Sequence, residues 1–260
     1  MKTIAYAAKT DIGRMREENQ DAVGKFPSDS LDMNTPKGQL FVVADGMGGH
    51  AGGREASRLA VETIGRVYFA ADLPPIESLR LAFREANQAI YDYSVNHPQF
   101  YGMGTTCVAL VVQNSSVWAA HIGDSRLYRI TSDGIEQLTR DHSKVAEMVR
   151  RGILTAEEAR WHPERSMLYR AMGVKQGIEF DLLNSIPLGT DDRFLLCTDG
   201  LTSYVEPEEL HDIVMHFPLQ AACDRLVDLA NSRGGHDNIT VQIVHVKGQN
   251  SFLKTLFRTR

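Results

Sequence analysis

The 260-residue sequence predicts an α+β protein of antiparallel sheets with helices packed outside them. Three observations carry this expectation. Strand-like segments follow one another across short links instead of alternating one-for-one with helices, which disfavours a parallel Rossmann-like sheet. Helical patterns come in adjacent pairs. Several strand segments are continuous apolar runs bounded by turn residues, the mark of a buried strand.

The elements are expected in the following order. Thr3 to Ala8 reads as a short strand, followed by a charged loop from Lys9 to Gln20. Residues 27–39 hold two prolines and a glycine and read as a loop before the apolar run Leu40–Ala44. Ala56, Leu59, Ala60, Thr63, Ile64 and Val67 keep helical spacing, as do Leu79, Ala82, Phe83, Ala86, Ala89, Ile90 and Tyr93, with Pro74-Pro75 between the two sets. Residues 105–112, 117–122 and 126–130 are rich in β-branched or aromatic residues and read as strands. Ser132-Asp133-Gly134-Ile135 then predicts a hairpin turn into a strand over 135–138. Residues 143–172 turn charged and helical, and Thr155 with Glu158 has the spacing of a capping box. Strands over 178–183 and 193–197, helices over 206–216 and 219–231, and a strand over 239–246 complete the chain. No repeat or linker divides it, which predicts one domain with an insert near 141–177.

Composition excludes several classes. Apolar residues make up 43% and charged residues 23%, an ordinary globular balance rather than a disordered or coiled-coil one. A single domain of this length buries ~70–75% of its unfolded surface and needs no disulfide or structural metal to hold its core. The formal charge of −5 lacks the basic footprint of a nucleic-acid binder. Cys107, Cys197 and Cys223 are odd in number and far apart, which suits a reduced cytoplasmic protein. The opening residues hold five consecutive apolar positions, short of the ~7–15 of a signal peptide, and no run reaches the ~20 of a membrane span. The tail from 247 to 260 mixes Lys254, Arg258 and Arg260 with Phe252, Leu253, Leu256 and Phe257, and reads as a frayed end or a docking helix.

The chemistry lies in where the aspartates fall. Asp45 follows the run Leu40–Ala44, and Asp199 follows Phe194–Thr198. Asp237 precedes Ile239-Thr240-Val241, Asp124 sits between two strands, and Asp21 closes Arg16-Glu17-Glu18-Asn19-Gln20. An isolated Asp-Gly is ordinarily a hairpin turn, and Asp133-Gly134, with polar flanks, reads so. Recurrence at the mouths of buried strands points elsewhere, because carboxylates gathered there repel one another unless a cation joins them. Hard oxygen donors without a Cys or His cluster suit Mg²⁺ or Mn²⁺ better than Zn²⁺. Glycine after Asp45 leaves the Gly46 carbonyl approachable as a further oxygen ligand. The dense oxygen loop of an EF-hand and the GK[ST] ending of a phosphate loop are both absent.

These residues also carry a resemblance. RxxNQD at 16–21, DGMGGH at 45–50, GTT at 104–106, GDSR at 123–126, DG at 199–200 and GGHDNIT at 234–240 resemble, in order, the motifs of the metal-dependent protein serine/threonine phosphatases (PPM, or type 2C) in their compact bacterial form. The likeness runs from about residue 3 to 246, and 139–173 resembles that family's flap subdomain. It implies a four-layer α/β/β/α sandwich of two antiparallel sheets flanked by helix pairs, with a catalytic domain over 1–246. It also implies hydrolysis of phosphoserine and phosphothreonine by a metal-bridging hydroxide, with no phospho-enzyme. Carried over by position, Asp45 bridges two metals, Asp199 and Asp237 complete the first site, and the Gly46 carbonyl with Asp21 serves the second. Asp124 with Asp199 holds a weaker third ion, and Arg16 grips the substrate phosphate. Some members place a histidine directly after the Asp-Gly to protonate the leaving alkoxide. Here that position is Met47, and His50, three residues later, is the candidate acid, against a loop-stabilising role. Gln20 stands where other members carry Glu. The implied partners are phosphorylated proteins, among them a cognate Ser/Thr kinase, acted on by a cytoplasmic monomer without nucleic acid or stable membrane insertion.

Bland readings fit the remaining candidates. His142 and His162 are expected in local packing or at the surface, and His236 in a loop hydrogen bond. Cys197 reads as a small core residue, since the cysteine-phosphatase pattern would need Arg where Ser203 stands.

Overall fold

The computed structural model describes residues 3–48 and 52–248. The expectations placed on His50 and on the tail beyond residue 248 lie outside the described residues. Strand β1 spans Thr3–Asp11, β2 Asp21–Phe26 and β3 Gln39–Met47, followed by helices α1 (Gly52–Ala70) and α2 (Pro75–Asn96). Strands β4 (Gly104–Thr105), β5 (Cys107–Gln113), β6 (Ser116–Ile122), β7 (Arg126–Thr131) and β8 (Gly134–Gln137) come next. Helices α3 (Lys144–Arg150) and α4 (Ala156–Trp161) precede β9 (Asp181–Pro187) and β10 (Asp191–Cys197). The chain closes with α5 (Asp199–Thr202), α6 (Pro207–His216), α7 (Leu219–Ser232) and β11 (Ile239–Lys247).

The strands form two sheets, ordered β1-β11-β10-β7-β8 and β2-β3-β5-β6-β9, with β4 beside β3. The ladders run antiparallel throughout. The continuous apolar runs follow from burial on both faces, which removes the polar half of the usual alternation. In β3, Leu40, Val42 and Ala44 pack towards α1 and α2, whereas Phe41 and Val43 face the other sheet. In β10, Leu195 and Cys197 pack towards α6 and α7, whereas Phe194 and Leu196 join Phe41 between the sheets. Three apolar layers therefore separate four layers of structure, the expected α/β/β/α sandwich.

Three segments differ from the sequence expectation. Strand β2 was not expected: all six of its residues are half-buried, so it carries no alternation to read. It lies at a sheet edge, and at Gly24 a Cβ would come within 2.5 Å of Val61 on α1, so glycine lets the helix close onto the strand. The expected strand over 178–183 instead begins at Asp181 and is fixed by pairing with β6, Leu182 opposite Ala120. The stretch 143–172, expected to turn helical, is helical only in α3 and α4. Gly152, with φ of +69°, ends the first helix region, and Pro163 stops the second. The chain then returns extended, bridging Ser143 to Leu168 and Thr105 to Met172. The capping box of Thr155 and Glu158 is present, as is the hairpin at Asp133-Gly134, where Thr131 pairs with Gly134.

The insert is thinly packed. Val145 is the one buried residue of α3, α4 has none, and Trp161 is 79% exposed. An ion pair between Arg160 and Glu206 ties α4 to the start of α6. Cys107, Cys197 and Cys223 are all free and buried, and burial pushes the Cys197 thiol up to about 12, so it packs rather than reacts.

Phe194 is fully buried between the sheets. Phe194→Ala is expected to cost about 3–5 kcal/mol, read as a lower urea midpoint at unchanged m-value. A loss below about 1 kcal/mol would contradict an inter-sheet core.

Candidate metal centre

The site forms where strands of both sheets end together. In the β2–β3 ladder Asp21 pairs directly with Asp45. Like charges in opposed positions destabilise a ladder, so local pairing alone would not choose this arrangement. It is held by neighbouring hydroxyls. Thr198, directly after β10, and Thr240, in β11 of the other sheet, donate to Asp21 Oδ2 at 3.0 and 2.6 Å. Those two threonines are themselves joined, since the Thr240 amide donates to Thr198 Oγ1 at 3.0 Å. A carboxylate of one sheet thus fastens to the strand ends of the other.

Asp45 is held through its backbone. Its carbonyl accepts from Thr105 Oγ1 at 2.8 Å and from the Thr106 amide at 2.9 Å. The Thr106 hydroxyl accepts from the Asp45 amide at 3.2 Å and shares a hydrogen bond with Ser125 Oγ at 2.6 Å. This gives the Gly-Thr-Thr segment a physical role and links Asp45 to the turn carrying Asp124. Gly46 donates its amide to the Gln20 carbonyl at 3.1 Å, and a Cβ there would lie 2.0 Å from the Gly53 carbonyl oxygen. No larger residue fits between β3 and the start of α1.

Asp199 opens α5, and Asp237 sits just before β11. Asn238 locks that second loop to the first: its Oδ1 accepts from the Gln20 amide at 2.9 Å, and its Nδ2 donates to the Ile12 and Glu18 carbonyls at 2.9 and 3.0 Å. Sequence reasoning gave Thr198, Thr240 and Asn238 no role. The signal was present, since hydroxyl and amide side chains inside otherwise apolar strand ends need partners when buried. Arg16, with 55% of its side chain exposed, donates to Asp237 Oδ2 at 2.8 Å, so the phosphate-binding candidate rests on a metal-ligand candidate. His236 forms its expected loop hydrogen bond, to the Tyr204 hydroxyl, and stacks on that ring.

Electrostatics shows what the gathering costs. Burial first, then the charges of Asp199 and Asp237, push Asp21 up to about 7. Burial and Asp237 push Asp199 up to about 6. Asp45 is held well above the ordinary carboxylate range by burial and by Asp21, Asp199 and Asp124, and Asp124 by burial and Asp199. Asp21 Oδ1 and Asp199 Oδ1 are buried without a hydrogen-bond partner. Buried carboxylate oxygens left unpaired, in an all-oxygen donor set under mutual repulsion, fit a divalent hard cation. The structure brings Asp21, Asp124, Asp199 and Asp237 within electrostatic reach of Asp45, and Arg16 within reach of Asp45, Asp199 and Asp237.

Comparison with known proteins agrees with this geometry. The family model described as protein phosphatase 2C matches residues 16–236. The serine/threonine phosphatase stp of Listeria innocua is 39% identical over 242 residues, covering 91% of this chain and 93% of that protein. Among solved structures, serine/threonine phosphatase Stp1 from Staphylococcus aureus superposes with a TM-score of 0.85 at 35% identity, covering 94% of this chain and 96% of that one. The catalytic domain of the serine threonine protein phosphatase PstP, solved in complex with two manganese ions, superposes with a TM-score of 0.83 at 31% identity, covering 95% of this chain and all of that one. The fold and these named relatives define the class as the metal-dependent protein serine/threonine phosphatases. This chain belongs to that class, in the protein phosphatase 2C family.

The raised acids set a pH dependence. Each holds its proton more tightly folded than unfolded. The stability so gained is complete below the ordinary carboxylate range near pH ~4 and is lost as pH rises through about 6 and 7, the values for Asp199 and Asp21. Divalent ions compete with those protons. Mn²⁺ is therefore expected to raise the Tm of EDTA-treated protein more at about pH 8 than at about pH 5.5. Equal shifts by calorimetry at both pH values would contradict the assignment of the acids to a metal site.

Proposed function

We propose that the protein hydrolyses phosphoserine and phosphothreonine on proteins with two Mn²⁺ or Mg²⁺ ions at the aspartate centre, reversing a Ser/Thr kinase. The observation that carries this reading is the set of half-buried carboxylates, Asp21 opposed to Asp45, with Asp21 Oδ1 and Asp199 Oδ1 buried and unpartnered. Asp45 would hold both ions, Asp199 and Asp237 the first, and the Gly46 carbonyl with Asp21 the second. Asp124 with Asp199 would hold a weaker third. The bound ions would supply positive charge and a water acidified enough to attack phosphorus without a phospho-enzyme.

The chain's own residues do the rest. A phosphorylated side chain carries about −1.5 to −2 charge, which bare carboxylates would repel. With Asp237 engaged by a cation, the fork of Arg16 becomes free for two phosphoryl oxygens, a bidentate match that lysine cannot copy. His50 is the candidate to protonate the leaving alkoxide. Residues 1–246 form the catalytic domain in this reading, with a flap at 141–177 whose exposed residues meet the substrate protein, and a tail from 247 to 260. No helix among the described residues is long and apolar enough to cross a membrane. In this reading the protein is a cytoplasmic monomer acting on phosphoproteins, among them a cognate kinase; its three free cysteines suit a reducing compartment.

The deciding assay compares Mn²⁺, Mg²⁺ and EDTA on phosphoserine, phosphothreonine and phosphotyrosine peptides. Activity on the first two that needs the metal is expected, and undiminished turnover in EDTA would sink the reading. Asp45→Asn is expected to remove most activity while the fold persists by circular dichroism; near-wild-type turnover with Mn²⁺ would refute the mechanism. Arg16→Lys is expected to lower kcat/KM by about tenfold or more, an effect of ~1.4 kcal/mol, with metal affinity retained.

A further inference from the structure

Among the described residues, a second close group of titratable side chains, two buried histidines and a half-exposed aspartate, lies outside the aspartate centre. His121, His142 and Asp181 place their candidate ligand atoms within 4.8 Å of one another. The donor types suit a transition metal, but the hydrogen bonds of His142 oppose that use. The Gly123 amide donates to His142 Nδ1 at 3.1 Å. An amide can only donate, so Nδ1 carries the lone pair and the neutral ring keeps its proton on Nε2. That nitrogen lies 3.3 Å from Asp181 Oδ2, the acceptor it needs. A metal-bound histidine donates from its other nitrogen, whereas this one accepts there. The constellation is a carboxylate–imidazole–amide relay that ends on Gly123.

The relay is built from several directions. The His142 amide donates to the Gly123 carbonyl at 2.8 Å, which closes a two-bond clamp around that residue. The His142 carbonyl accepts from the Tyr169 amide at 3.0 Å. Arg170 Nη1 lies 3.3 Å from Asp181 Oδ1 and also 3.3 Å from His142 Nε2, and its Nη2 donates to Glu179 Oε2 at 3.0 Å, so the guanidinium braces the carboxylate beside the ring and, as a cation, opposes a second proton on the ring. The His142 ring is buried, 4.7 Å from the His121 ring, and burial lowers the pKa of both, which keeps the acceptor nitrogen bare. Gly123 needs holding: its φ of +101° is disfavoured for other residues, and a Cβ there would lie 2.5 Å from Thr106. The next residue is Asp124.

We propose that His142, oriented by Asp181, is a positioning residue that fixes the Gly123–Asp124 turn and thereby sets how Asp124 presents its carboxylate to a divalent metal. This rests on the reading of Asp124 as a ligand of the weaker ion. His142 begins the insert, and Tyr169 and Arg170 stand at its far stem, so the relay also joins both stems to that turn.

The test counts Mn²⁺ sites by the electron paramagnetic resonance of free Mn²⁺, alongside hydrogen exchange of the Gly123 amide. His142→Phe keeps a ring and loses the acceptor; about tenfold weaker Mn²⁺ binding at the Asp124-dependent site is expected, with the tighter sites unchanged and Gly123 protection reduced. His142→Asn, whose oxygen can accept from Gly123, is expected to restore most of both. Adding His142→Phe to Asp124→Asn should weaken Mn²⁺ binding no further. Should the Phe variant not fold, Asp181→Ala, at a half-exposed strand start, is expected to shift the same site in the same direction. Loss of Gly123 protection with unchanged Asp124-dependent affinity would overturn the inference while leaving Asp124 a ligand. Absence of any Asp124-dependent site in the wild-type protein would overturn the ligand reading and this inference together.

Discussion

Repulsion among crowded, half-buried carboxylates is the constraint on which the rest of the structure depends. Asp21 faces Asp45 across a β-ladder, with Asp199 and Asp124 close enough to raise their proton affinities. Water alone does not relieve that strain at Asp21 Oδ1 and Asp199 Oδ1, which are buried without a partner. Protons, Arg16 or a divalent ion must. A fold that accepts this cost at one end must recover it elsewhere, and three stacked apolar layers provide the recovery.

The two-sheet design explains how the acids meet. Each occupies a strand or its immediate flank, where backbone pairing fixes position to within the ladder's own precision. The sheets are then tied by hydroxyls: Thr198 and Thr240 of one hold Asp21 of the other. Thr106 and Ser125 couple the Asp45 strand to the Asp124 turn. Rigidity of this kind places charge where charge must later be neutralised, which is the condition for electrostatic catalysis without reorganisation.

Charge neutralisation also connects binding to chemistry. The pairing of Arg16 with Asp237 shows the centre already drawing cationic groups from the surface. In the proposed function a phosphate dianion and a divalent ion would resolve the same imbalance together, the first at Arg16 and the second at Asp237. The histidine relay behind Gly123 extends the logic outward, from the carboxylates to the backbone that carries them and to the stems of the insert.

By itself the sequence determined the antiparallel α+β class, the paired helices and the core strands, because burial on both faces writes itself as unbroken apolar runs such as Leu40–Ala44. It also marked Asp45, Asp199 and Asp237 beside such runs and Asp124 between two strands, while Arg16 and the individual roles of the acids came from the resemblance to a known family. Tertiary structure alone decided β2, whose half-buried residues have no periodicity, and the start of β9, which pairing with Ala120 fixes. It limited the insert to two short helices, because Gly152 and Pro163 interrupt a charged stretch with little core to hold it. It decided too which hydroxyls hold which carboxylates, and that His142 reaches Gly123. Those contacts join residues far apart in the chain, such as Asp21 and Thr240, and no local pattern encodes a partner that only packing brings within 3 Å.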